Sequence, residues 1–172
     1  MSTFSFQSLN LRAEIGGNSY SLNLDGTSIL LDAGMHPKED GLNALPHYQE
    51  VPFDSADAII ISHSHLDHIG TLPVAQREQP SAPVYLTAPC AALGEALLHN
   101  SVNVMSSQRE ELGINEYPLY HHREIDYLRD RWMIRHYEKA FLLDPLGETE
   151  TTVTFYDAGH ILGSAGVLIE KN

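Results

Sequence analysis

Between Ile61 and Gly70 the chain reads ISHSHLDHIG, which places His63, His65, Asp67 and His68 within six positions. Imidazole nitrogens and carboxylate oxygens suit zinc, and also iron or manganese. In the H-x-H-x-D-H spacing, His63 and His65 hold alternate positions of an extended segment and can face one cation together. Asp67 and His68 fall where the chain turns away and can face a second position nearby. A polar loop opening a helix, with Asp67 as a local cap, would gain nothing from three imidazoles. A centre with three protein ligands needs one more residue. The stretch DAGHILGSAG supplies His160 among Gly159, Gly163 and Gly166, which let backbone come close to a site. A lone His in such a loop is more often structural; beside the first cluster it becomes a candidate ligand. Asp32, ending LLDAG, reads either as a turn residue before Gly34 or as a carboxylate that orients the His loop from behind. A metal held by these groups would lower the pKa of a bound water and polarise a phosphoryl or carbonyl oxygen. Hydrolysis is therefore the reaction class, with phosphoester, thioester and lactone all open.

Such a site has to be assembled by elements that end at one place. Phe4 to Leu11 alternates as a strand, and SYSLNLDG with TSILLDAG reads as a hairpin turning at Asp25-Gly26. ADAIIIS, directly before the His cluster, is a continuous β-branched run and reads as a strand buried on both faces. VYLTAP is another short buried strand, and Met35 to Phe53 is rich in loop residues. A helix is expected from Ala91 to about Val104, with Leu93, Leu97 and Leu98 on one side, followed by a polar stretch from Ser106 to Pro118. REIDYLRDRWMIRHYEKA reads as a second helix, with Ile125, Leu128 and Trp132 three and four apart. TTVTFYDAGHILG is a strand and loop, and AGVLIEKN opens a last strand. Strands first, βα alternation next and strands again make an α/β layered fold with sheet edges feeding a loop-built site.

The chain has 172 residues and a 42% hydrophobic composition, which fit one domain with a sizeable core. Ten Lys and Arg stand against 23 Asp and Glu, for a formal charge of −13. That balance weighs against a nucleic-acid binder that relies on a basic face. It leaves room for a nuclease whose positive charge is a bound metal. Cys90 is the only cysteine, so neither an intrachain disulfide nor a Cys-rich zinc site is available. The N-terminus has no basic region with a long apolar core, and no apolar stretch could span a bilayer. A cytoplasmic protein with no membrane partner is the expectation.

ISHSHLDHIG resembles the signature motif of the metallo-β-lactamase superfamily. LLDAG resembles that family's first motif, and YDAGHILGSAGVLIE its third. LDAGMHPKEDGLNALP followed by AIIISHSHLDHIGTLP narrows the resemblance to the β-CASP nucleases, which include the nuclease subunit of the cleavage and polyadenylation specificity factor and bacterial relatives that process RNA. The resemblance implies a metallo-β-lactamase-like layered αββα sandwich and a metal-dependent hydrolase, with RNA as substrate in mRNA 3′-end processing or RNA decay. By it, His63, His65 and His160 hold one zinc, Asp67 and His68 contribute to a second, and Asp32 supports the His loop. Asp67 also steadies or takes a proton from the attacking water. His36, although close to Asp32, matches no ligand position and reads as a hydrogen-bonded loop residue. Family members carry a bridging Asp and a distal His further on, and this sequence ends twelve residues past His160. Residues 1–172 are thus expected to be one N-terminal, truncated domain lacking the C-terminal half and the β-CASP domain. The second metal set would then be incomplete, and the isolated chain could be inactive. Its last strand, AGVLIE, would leave an open sheet edge for self-association or a partner chain. Two other functions stay open: a small ester or thioester hydrolase of the same fold, and a non-catalytic domain that binds a partner.

Overall fold

The computed structural model describes residues 3–10, 16–143 and 150–171. Asp25 and Gly26 both take positive φ, 47° and 86°, the conformation whose twist suits a two-residue hairpin. They join β2 (Tyr20–Leu24) to β3 (Thr27–Leu31), with Leu22 opposite Ile29. β1 (Phe4–Ser8) pairs antiparallel with β2. It is shorter than the run to Leu11 suggested, and Leu11 lies outside the described residues. β4 (Ala58–Ile60) is buried at every residue, as its isoleucine run requires, and pairs parallel with β3 and with β5 (Val84–Leu86). β6 (Trp132–Ile134) adds a parallel strand beside β5, completing a six-stranded sheet in the order β1-β2-β3-β4-β5-β6. A second, antiparallel sheet holds β7 (Phe141–Leu142), β8 (Thr151–Asp157) and β9 (Ala165–Lys171) in that order. β9 is an edge: β8 pairs with it on one side, and none of the described strands pairs on the other.

Four helices lie on one face of the large sheet: α1 (Leu66–Ile69), α2 (Leu72–Glu78), α3 (Ala88–Leu112) and α4 (His122–Arg129). Each contributes to one buried cluster, through Ile69, Leu72, Leu98 and Ile125 among others, together with Leu30, Ile59, Ile61, Val84 and Leu86 of the sheet. A second cluster joins the two sheets, with Leu22, Ile29, Ile60 and Tyr85 facing Val153 and Phe155. The described layers are therefore helix, sheet, sheet. No described helix is long and apolar enough to cross a membrane.

Two helices depart from the sequence reading. α3 runs to Leu112 because the SSQREEL segment, read as a polar connection, is made of residues that tolerate or favour an exposed helix. Gly113, at φ 71°, ends it. Its buried stripe is Cys90, Gly94, Leu98, Ser101, Val102 and Met105, while Leu93 faces solvent. α3 and α1 approach closely at Gly94, where a Cβ would lie 2.6 Å from Ile69 Cδ1. α4 stops at Arg129, and Trp132 belongs to β6 rather than to a helical face. The Trp-Met-Ile triplet has strand propensity, finds a partner in β5, and anchors its indole Nε1 on Gln76 Oε1 at 3.3 Å.

Candidate metal centre

Neighbouring parallel strands end at the same edge of the sheet, and that edge carries the chemistry. Asp32 follows β3, Ser62 to His65 follow β4, and Thr87 follows β5. The turn after β3 is laced to the His segment by backbone bonds. Ala33 N–H donates to His68 O at 2.7 Å, Met35 N–H to Leu66 O at 2.8 Å and Thr71 N–H to Ala33 O at 2.8 Å. Asn18 joins from β2's approach, donating to Asp67 O at 2.8 Å and accepting from Gly34 N–H at 2.9 Å. The approach is so close that a Cβ on Gly34 would sit 1.8 Å from Asp67 O. His65 starts α1, its carbonyl accepting from His68 and Ile69 N–H.

Asp32 is both of the things its position allowed. It takes φ 57° in the turn, and its buried carboxylate collects three donors. Oδ1 accepts from Ser62 N–H at 2.7 Å; Oδ2 accepts from Ser62 Oγ at 2.8 Å and faces His68 Nδ1 at 2.7 Å. An ionised carboxylate only accepts, so His68 carries its proton on Nδ1. Ser62 donates its hydroxyl proton to Asp32, so its oxygen accepts from His63 Nδ1, 3.0 Å away. One carboxylate thereby sets two imidazoles, directly and through Ser62, and leaves the Nε2 of the neutral His63 as a lone-pair nitrogen. Burial, then the nearby charge of His68, lowers His63 to about 4, which keeps it neutral. Burial alone would lower His68, but the hydrogen bond to Asp32, its charge and that of Asp67 raise it on balance.

His63, His65 and His160 each offer a ligand atom within 4.8 Å of the others, the one such group of three among the described residues. His160 Nε2 lies 3.3 Å from His65 Nδ1. Two nitrogens at about 2.0–2.1 Å from a tetrahedral zinc stand roughly 3.3 Å apart, so the His65–His160 pair has the spacing of two such ligands, with His63 beside it. The loop carrying His160 is exposed but tethered. Ser164 Oγ accepts from His160 and Ile161 N–H at 3.1 and 3.2 Å. Gly163 O accepts from Thr87 Oγ1 at 2.7 Å, and Ala165 N–H donates to Ser62 O at 2.8 Å.

Asp67 and His68 fall outside the three-His group. His68 Nε2 is 3.6 Å from Asp67 Oδ2. The Asn18 side-chain amide faces both, at 3.0 Å from His68 and 3.3 Å from Asp67. The pair can offer two ligand atoms and no third from the described residues. His36 is a buried loop residue whose Nδ1 accepts from Lys38 N–H at 3.2 Å. The sequence reading passed over Ser62, Ser164 and Asn18. Ser62, between an apolar strand and His63, was the one with a signal. A cavity of about 660 Å³ adjoins His65 and Asp67, walled by Met35, Leu66, Leu97, Val104 and Tyr117.

A family model described as a metallo-beta-lactamase superfamily domain matches residues 21–172. The chain is 33% identical, over 98% of its length, to endoribonuclease YSH1 of Saccharomyces cerevisiae, and covers 21% of that protein. It is 33% identical to the Yarrowia lipolytica YSH1 over 98% of this chain and 19% of that one. The Schizosaccharomyces pombe endoribonuclease ysh1 is 31% identical over 96% of this chain and 20% of its own length. The chain thus spans about a fifth of the length of these relatives. A crystal structure of a protein of unknown function from Enterococcus faecalis V583 matches 99% of this chain and 41% of its own, with a TM-score of 0.63 and 17% identity, and so shares the fold.

Proposed function

This chain belongs to the metallo-beta-lactamase superfamily, and from that premise we propose that it is the metal-holding part of a zinc-dependent hydrolase that cleaves RNA phosphodiesters. The observation that carries the reading is the convergence of His63, His65 and His160, whose ligand atoms lie within 4.8 Å of one another, in a chain similar to endoribonucleases over nearly its whole length. In this reading the three His hold the zinc, and Asp32 positions His63 and His68. A metal held there supplies an acidified water and polarises a phosphoryl oxygen. Asp67 and His68 contribute to a second metal position and face the reacting groups from the α1 side. Asn18 keeps their side chains together.

The test is cleavage of labelled single-stranded RNA by the zinc-loaded chain, with His63→Ala as control. Cleavage that His63→Ala abolishes while the fold persists supports the proposal. Hydrolysis of a thioester but not of RNA would replace it with a second reading, a small-molecule hydrolase. The largely apolar cavity beside His65 and the net charge of −13 favour that reading. If neither substrate is cut and the chain forms a defined oligomer, the unpaired edge of β9 becomes the functional surface.

A further inference from the structure

Outside the three-His centre, His99 in the middle of α3 meets His122 at the start of α4. Their Nδ1 atoms are 2.7 Å apart, and the ring planes lie within 14° of parallel. Each ring shows its outer nitrogen to an acceptor. His99 Nε2 lies 3.4 Å from Asp126 Oδ1, and His122 Nε2 lies 3.2 Å from Asn103 Oδ1. His122 can donate its Nε2–H to the Asn103 amide oxygen, and the Asp126 carboxylate draws the proton of His99 toward Nε2. With the protons on the outer nitrogens, the two inner nitrogens face each other as lone pairs at 2.7 Å, an arrangement that a cation between them stabilises. Outer acceptors of this kind are what orient metal-bound imidazoles and raise their basicity.

We propose that His99 and His122 form a second metal site that takes a transition-metal cation with imidazole affinity, such as zinc, nickel or copper(II), through their Nδ1 atoms. His122 is exposed and His99 partly so, so the pair can open by about 0.6 Å to the separation of two ligands on a tetrahedral zinc. Solvent completes the coordination, which makes this the weaker and more labile of the two sites. It joins α3 to α4, and α3 also forms a wall of the cavity beside His65, through Leu97 and Val104. Occupancy of the site therefore stiffens a helix that borders the candidate metal centre. The inference rests on α3 and α4 alone and survives if the hydrolase reading fails.

The experiment is equilibrium dialysis of the 172-residue chain against micromolar nickel, with metal analysis of the wild type, His99→Ala and His122→Ala. The wild type is expected to hold one equivalent more than either variant, with the equivalent of the three-His centre unchanged in all three. Asp126→Asn is expected to weaken the extra equivalent about tenfold. Trace copper(II) should broaden the His99 and His122 ring resonances in NMR spectra. Equal nickel in all three proteins would overturn the proposal. Ring resonances that respond to pH but not to copper(II) would also overturn it, and would assign the cation to a shared proton.

Discussion

His63 and His65 sit on a stretch whose backbone is bonded at almost every crossing, whereas His160 sits on a loop with solvent on most sides. On the first flank, the backbone N–H groups of residues 33, 34 and 35 donate to 68, 18 and 66, and that of Thr71 donates to Ala33. His63 is only 8% exposed there. On the second flank, the run from Tyr156 to His160 is exposed, and Leu162 is 72% exposed. That loop is secured through Ser164, Gly163 and Ala165. A metal arriving at this site finds His63 buried and oriented through Ser62, His65 exposed on a bonded backbone, and His160 on a short tether. Damage to the first flank should cost folding as well as metal, and damage to the second should cost mainly metal.

The largest effect is expected from Gly34→Ala. Its Cβ would have to occupy space 1.8 Å from Asp67 O and 2.5 Å from Asn18 N, both backbone atoms that cannot swing away. Overpacking of this severity should cost about 3 kcal/mol or more, read as a large fall in Tm. A Tm within a few degrees of wild type would show the first flank to be pliable and dissolve the contrast.

Asp32→Asn comes next. The amide cannot accept at both atoms from Ser62 and His68, so a buried charge-assisted network is broken, at a cost of about 2–3 kcal/mol. The imidazoles also lose their orientation, and metal affinity should fall roughly 10- to 100-fold. Urea denaturation and a metal titration on the same variant check both halves.

On the second flank, Ser164→Ala removes the acceptor for His160 and Ile161 N–H. Stability should fall by about 1 kcal/mol, with metal affinity down about tenfold. If Ser164→Ala destabilised the fold as much as Asp32→Asn, the two flanks would be equivalent.

A further effect is in pH. His63 is lowered to about 4 from its ordinary 6.5, so between those values the unfolded metal-free chain binds a proton that the folded chain does not. The stability contributed is complete above pH 6.5 and is lost as pH falls toward 4. His68 is raised, so its contribution is complete below pH 6.5 and is lost as pH rises through its folded value. Urea midpoints of the metal-free chain should show an acid slope that His63→Gln removes. An unchanged slope in that variant would place the acid sensitivity elsewhere.

The first flank was the legible one because its chemistry is written in adjacent residues. The isoleucine run fixes a buried strand, and four polar ligands in six positions past its end have few other uses. His160 was legible only as a companion to that cluster, since one His among glycines carries little information by itself. Asp32 remained ambiguous in the sequence because the turn and the carboxylate network use the same residue. Asn18 was invisible because its role depends on the crossing of two distant loops. The helix boundaries failed for a related reason: polar residues on an exposed face of α3 resemble a loop, and Trp132 is taken from a helical pattern by its pairing with β5. α1, α2 and β7 are short, and their positions are set by packing against the sheets rather than by periodicity.

The central claim is that His63, His65 and His160 form one preformed metal centre. Metal analysis after exhaustive desalting tests it most directly, on wild type, His63→Ala and His160→Ala loaded with zinc. One tightly held equivalent per wild-type chain, lost in both variants while their helix and strand content persists, is the predicted result. A wild-type chain that retains well under one equivalent, or variants that retain as much as wild type, would contradict it.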